Sequence, residues 1–91
     1  MQNVGSAGAT LKELQKFPEK FTFKIVGDNT EKFIACAKQI FDDRIDTVFT
    51  ENVSSAGKYI SISATTEVWR YEELEAIYTA INKLEGLKFH V

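Results

Sequence analysis

Residues 21–33 read FTFKIVGDNTEKF, and the hydrophobic period changes partway along them. Phe21, Phe23 and Ile25 alternate with Thr22 and Lys24, the spacing of a half-buried strand whose successive side chains take opposite faces. Gly27 ends that strand. Asp28, Asn29 and Thr30 then each offer an oxygen to the free amides of a first helical turn, and the spacing to Glu31 approximates a capping box. From Glu31 to about residue 42, Phe33, Ala37, Ile40 and Phe41 recur three and four apart, with Ile34 and Cys36 widening the stripe. That spacing predicts an amphipathic helix.

Upstream, residues 1–16 hold Gly5, Ser6, Gly8 and Thr10 and few large apolar side chains, so they are expected to form a flexible tail with one helical turn around Leu11 to Leu14. Residues 17–91 form the single domain, and Pro18 sets an extended entry into its first strand. Downstream, residues 45–53 are rich in β-branched and aromatic side chains. Residues 59–65 alternate cleanly, with Ile60, Ile62 and Ala64 on one face. Ser54-Ser55-Ala56-Gly57 between them reads as a hairpin turn with Gly57 at positive φ. Adjacent Val48 and Phe49 leave open which face each takes. Leu74, Ile77, Tyr78, Ile81 and Leu84 make a second helical stripe, with Glu72, Glu73 and Glu75 in its first turn and Lys83 and Gly86 at its end. Leu87, Phe89 and Val91 alternate with Lys88 and His90 as a last strand.

The order strand, helix, strand, strand, helix, strand is the split βαβ pattern of an α+β ferredoxin-like βαββαβ sandwich. Right-handed crossovers then give a four-stranded antiparallel sheet of order 4-1-3-2 with two helices on one face. Phe21, Phe23, Ile25, Ile60, Ile62, Ala64, Leu87 and Phe89 are expected to meet Phe33, Ile40, Leu74, Ile77 and Ile81 in the core. The other face is expected to carry Thr22, Lys24, Tyr59, Ser61, Ser63, Thr65, Lys88 and His90 as an open, polar contact surface.

The 91 residues, 44% apolar and 26% charged, suit one small domain and exclude a disordered chain. Thirteen acids against eleven bases give a net charge of −2, the wrong sign for a dedicated nucleic-acid or anionic-membrane binder. No run approaches membrane-spanning length. A lone Cys36 forms no internal disulfide and favours a reducing, cytoplasmic setting. One Cys, one His and a Met at position 1 supply no metal site, and no cofactor is expected.

Ferredoxin-like domains host unrelated activities, so function has to be argued from residues. Tyr59 is followed by Ser61 and Ser63 where an RNA-stacking platform needs rings. The loop Gly27 to Thr30 lacks both the cysteine pair of heavy-metal carriers and the arginine of acylphosphatase-like chemistry. It remains the best ligand candidate: free amides at a helix start hold a carboxylate, with Lys24 or Lys88 adding charge, although a plain helix cap explains the same residues. Cys36, on the apolar stripe, reads as a packed thiol. Trp69 and Arg70 read as a core lid or a partner anchor. The Glu72-Glu73-Glu75 group is explained by the helix dipole.

Phe17-Pro18 with residues 21–27, then residues 54–61, then Leu74-Glu75-Ala76-Ile77-Tyr78, resemble the YbeD-like family of small bacterial proteins over about residues 17–91. The resemblance implies a ferredoxin-like fold similar to ACT regulatory domains, no catalytic residues, and a role as a lipoate-binding regulator. ACT-like domains hold small ligands near the first strand-to-helix loop, which points to Gly27, Asp28 and Asn29, but the proline-glycine pair usual there is missing. The stretch 65–71 is longer than in the proteins it resembles, so the third strand is expected to run through Val68. The expected function is a non-enzymatic regulatory domain binding a small carboxylate. The alternative is a protein-interaction or homodimer module using a sheet edge and the face bearing Tyr59, Ser61, Ser63, Lys88 and His90.

Overall fold

The computed structural model describes residues 17–90; the expected tail at 1–16, with its turn at Leu11 to Leu14, and Val91 lie outside the described residues. The elements are β1 (Glu19–Asp28), α1 (Glu31–Gln39), β2 (Val48–Val53), β3 (Tyr59–Val68), α2 (Tyr71–Asn82) and β4 (Leu87–His90). The antiparallel sheet has the order β2-β3-β1-β4, which is the expected 4-1-3-2 order read from its other edge. Side chains from α1 and α2 share one core with the sheet, the arrangement of a ferredoxin-like sandwich.

β1 does not stop at Gly27. It pairs with β3 in unbroken register from Glu19↔Val68 to Asp28↔Tyr59, with Gly27 opposite Ile60. Gly27 lies on the buried side of the sheet, and a Cβ built there would sit 2.7 Å from Phe33 Cε2 and nearer still to Cζ. The glycine is thus a packing requirement of α1, whose first turn lays the Phe33 ring across the strand. Thr30 caps that turn, its hydroxyl accepting the Phe33 N–H at 3.1 Å. The helix is shorter than its apolar spacing predicts. Phe41 and Asp42 donate to the carbonyls of Lys38 and Gln39, three residues back, so the chain tightens and drops Phe41 into the core.

β2 starts at Val48, three residues later than expected. Phe49 lies opposite Ala64 and packs on the core, so Val48, opposite Thr65, takes the open face with no bulge in the pairing. The turn after β2 has Gly57 at φ 76°, as its sequence implies. β3 runs through Val68 and alternates half-buried with buried along its whole length. Phe23 lies at the centre, its ring 5.7 Å from Phe41 and 5.4 Å from Tyr78. Burying a side chain of this size stabilises by about 1.5–3 kcal/mol.

β4 corrects the expected facing. Gly27 pairs with Leu87, but Val26 pairs with Phe89 and Ile25 with His90, so Lys88 is an extra residue in a β-bulge. Beyond the bulge the alternation is inverted. Phe89, expected in the core, is 55% exposed on the open face. His90, expected on the open face, turns toward α2, where its Nε2 meets Asn82 Oδ1 at 3.0 Å and its ring lies 5.7 Å from Tyr78.

Candidate functional site

The loop between β1 and α1 is stitched to its neighbours. Asp28 N–H donates to Gly86 O at 3.1 Å, Asn29 N–H to Lys58 O at 3.0 Å and Thr30 N–H to Asp28 O at 2.9 Å. Asn29 Nδ2 donates to Gly57 O at 3.0 Å. The amides of Asp28, Asn29 and Thr30 that would grip a carboxylate are therefore committed to carbonyls of this chain, and Asn29 serves as the tie between loop and hairpin. Lys88 reaches this corner, with Nζ 3.7 Å from Asp28 Oδ1. Lys24 does not: it stands opposite Ser63, four residues along β1 from Asp28, or about 13 Å away.

On the open face the structure brings together Tyr59, Ser61, Ser63 and Lys88 from the expected contact surface. Lys58 and Lys88 each hold Nζ 5.7 Å from the Tyr59 ring centroid, within cation–π range. Thr22 and Thr65 join their hydroxyls across β1 and β3 at 2.8 Å. Phe89 replaces His90 in this surface and lies in the same cross-strand row as Val26. A shallow depression of about 200 Å3, almost wholly apolar in lining, opens among Val26, Asn52, Tyr59 and Ser61. Counting bases on the open face finds exposed Lys20, Lys24, Lys58 and Lys88 against the half-buried acids Asp28 and Glu67. A chain of net charge −2 therefore turns a basic side outward here.

The β2 edge is the second feature. The hairpin closes with Ser54 N–H on Tyr59 O, and antiparallel pairs alternate between bonded and non-bonded, so Asn52, Thr50 and Val48 bond inward to β3. Phe49, Glu51 and Val53 consequently aim their N–H and C=O groups outward. Edge strands are commonly guarded by lysine, proline, a bulge or an inward charge. β2 has no Lys or Pro and no register break, and its one charge, Glu51, is neutralised by Lys38. β1 between Glu19 and Lys24 also has β3 on one side only among the described residues, but it carries Lys20 and Lys24.

Opposite the loop, a polar network fixes the segment between α1 and β2. Asp46 accepts the Thr66 hydroxyl and the Glu67 N–H, each at 2.9 Å. These bonds, the backbone one foremost, hold the Asp46 carboxyl below the ordinary aspartate range. Arg44 donates to Glu67 O at 3.3 Å and to Glu73 Oε1 at 3.1 Å, and Glu73 also accepts the Trp69 N–H. Glu73 is thus a structural tie, which corrects the reading of the Glu72-Glu73-Glu75 group as dipole alone. Trp69 is 59% exposed and lids little of the core. Cys36 is exposed, correcting the packed thiol: one residue before buried Ala37, it is rotated about 100° from that residue around the helix.

Among the described residues no group of three or more His, Cys, Asp or Glu side chains is placed to hold a metal ion. No helix among them is long and apolar enough to cross a membrane. Sequence reasoning missed Phe89, the Arg44 and Asp46 ties and the outward groups of Phe49 and Glu51. The last of these was recoverable from the hairpin register alone.

A family model described as "Protein of unknown function (DUF493)" matches residues 12–91, reaching five residues into the expected tail. A UPF0250 protein of Haemophilus influenzae is 37% identical over 82 residues, covering 88% of this chain and 89% of that one. A UPF0250 protein of Shewanella halifaxensis is 36% identical over 80 residues, covering 84% and 89%. These matches bear out the resemblance to YbeD-like proteins. Among solved structures, protein HP0495 from H. pylori superposes with a TM-score of 0.69 at 15% identity, over 98% of each chain. The uncharacterized protein TM1266 from Thermotoga maritima gives 0.61 at 13% identity, over 80% of this chain and 96% of that one. Both share the fold.

Proposed function

The chain belongs to the DUF493 family, and on that premise we propose that it is a non-catalytic, cytoplasmic regulatory module that engages another polypeptide by strand addition at the β2 edge. The observation that carries this reading is the unguarded row of outward N–H and C=O groups on Phe49, Glu51 and Val53. An extended segment laid along it gains main-chain hydrogen bonds and takes its specificity from alternate side-chain contacts. Such a role needs no reactive group, in keeping with a loop whose amides are spent internally.

Hydrogen exchange tests it. In a complex captured from lysate, the amides of Phe49, Glu51 and Val53 are expected to become protected while those of Lys20 and Thr22 stay unchanged. Glu51→Pro deletes an outward N–H without touching the ladder to β3 and is expected to abolish the complex while leaving the thermal transition near that of the parent. Thr50→Pro removes an inward bond and is expected to unfold the edge. A Glu51→Pro protein that captures its partner as well as the parent refutes strand addition.

A second reading has its own observation, the pair of lysines over Tyr59 beside an apolar depression. It supports a small carboxylate with a short apolar body, lipoate being the model compound, resting on the open face rather than in the loop. Titration with lipoate and octanoate is expected to shift the Tyr59, Ser61 and Lys88 resonances. Shifts confined to Gly27, Asp28 and Asn29, or none at millimolar ligand, reject it.

A further inference from the structure

Resting on the strand-addition reading, we infer that the strand β2 receives is the β2 of a second copy, paired about a two-fold axis at Thr50 to make one continuous eight-stranded sheet.

Geometry and charge select that register. Keeping both helix layers on the same side requires paired positions to share a face, so the pair numbers must sum to an even value. Outward hydrogen bonds restrict the bonded pairs to Phe49, Glu51 and Val53. Of the even registers, those centred on Thr50 and on Glu51 keep five of the six β2 residues paired, whereas those centred on Phe49 or Asn52 keep only three. Centring on Glu51 sets two carboxylates against each other. Centring on Phe49 brings two lysines together, because Lys38 Nζ lies 5.5 Å from the Phe49 ring centroid. Centring on Thr50 places Phe49 of each copy opposite Glu51 of the other. Lys38 over Phe49 then meets the second copy's Glu51, and the Lys38–Glu51 pair within each copy closes a ring of alternating charge. The two threonines at the axis are a favourable cross-strand pair, and Phe49 and Glu51 exchange N–H and C=O groups on both sides of it. So short an overlap buries little surface, and the dimer is weak, forming toward millimolar protein.

Charge complementation tests this on the full chain. Lys38→Glu makes an interface with four acids and Glu51→Lys one with four lysines, so each alone is expected to sediment as a monomer. In an equimolar mixture the glutamate introduced in one variant faces the lysine introduced in the other, and the unchanged Lys38 and Glu51 meet at the second crossing. The mixture is expected to associate about tenfold more tightly than either variant alone, since exposed pairs each shift affinity modestly and both crossings turn from repulsion to attraction. Thermal melts of both variants near the parent value show that they fold. A parent chain strictly monomeric at millimolar concentration, or a mixture no more associated than its components, overturns self-pairing. If Glu51→Pro still loses a captured partner in that case, strand addition stands and only the second copy is rejected.

Discussion

Gly27→Ala gives the sharpest test of how α1 is held on the sheet. At a strand position with ordinary φ, replacing glycine by alanine stabilises by about 0.4–1 kcal/mol through the unfolded state. Here the added methyl would stand 2.7 Å from Phe33 Cε2, and Phe33 is only 2% exposed, so the ring has nowhere to retreat without dragging the first turn of α1. Overpacking of a well-filled core costs about 1–3 kcal/mol. The net expectation is a loss of about 1–2 kcal/mol, which lowers Tm by roughly 4–16 °C at about 4–8 °C per kcal/mol for a domain of this size. Urea denaturation followed by circular dichroism reads the free energy, and the same substitution in a Phe33→Leu background isolates the ring. The alanine step is expected to cost less than half as much there, because the smaller side chain vacates the space. A Gly27→Ala protein at or above the parent Tm, or an equal step in both backgrounds, refutes the claim that the ring dictates the glycine.

The Asp46 tie makes two expectations. Thr66→Val keeps the shape of a buried side chain but removes the hydroxyl that Asp46 accepts, and it is expected to cost about 1 kcal/mol in urea denaturation while the Asp46 carboxyl midpoint, followed by NMR, rises toward its ordinary value. The folded carboxyl titrates below its unfolded value, so its stabilising contribution is complete above the unfolded value and disappears as pH falls through the folded one; Asp46→Asn is expected to flatten the acid limb of a stability-versus-pH curve, seen by denaturation at stepped pH. Exposed Cys36 is expected to react with a thiol reagent in the native protein nearly as fast as in urea, and a strongly protected thiol would contradict its placement.

Elements whose pattern is local were legible in the residues: the alternation in β1 and β3, the Thr30 cap, the Gly57 turn and the apolar stripe of α2 together dictate the sheet order. What escaped depends on contacts between distant residues. Gly27 was legible only as the end of a strand and the start of a candidate ligand loop, because the ring that needs its space comes from the following helix. Arg44 and Asp46 shorten β2 by reaching Glu67, more than twenty positions along the chain. Cys36 was misplaced by treating a broad stripe as uniformly buried, although α1 buries only Phe33 and Ala37. Of the candidate site, Tyr59, Ser61, Ser63 and Lys88 followed directly from alternation, whereas the Phe89 and His90 assignments failed at Lys88, since an inserted residue leaves no mark in a period-two pattern.

That inserted residue makes segment length, not side-chain identity, decide what the second helix meets at the sheet's last ribbon. Lengthening the stretch after Gly86 by a single position, with the bulge kept, would bring the Phe89 side chain opposite Ile25 and so trade an imidazole for a phenyl beneath Tyr78. Among relatives of this chain, a one-residue insertion at that point would therefore mark a molecule with a different underside to its helix and a differently furnished outer sheet.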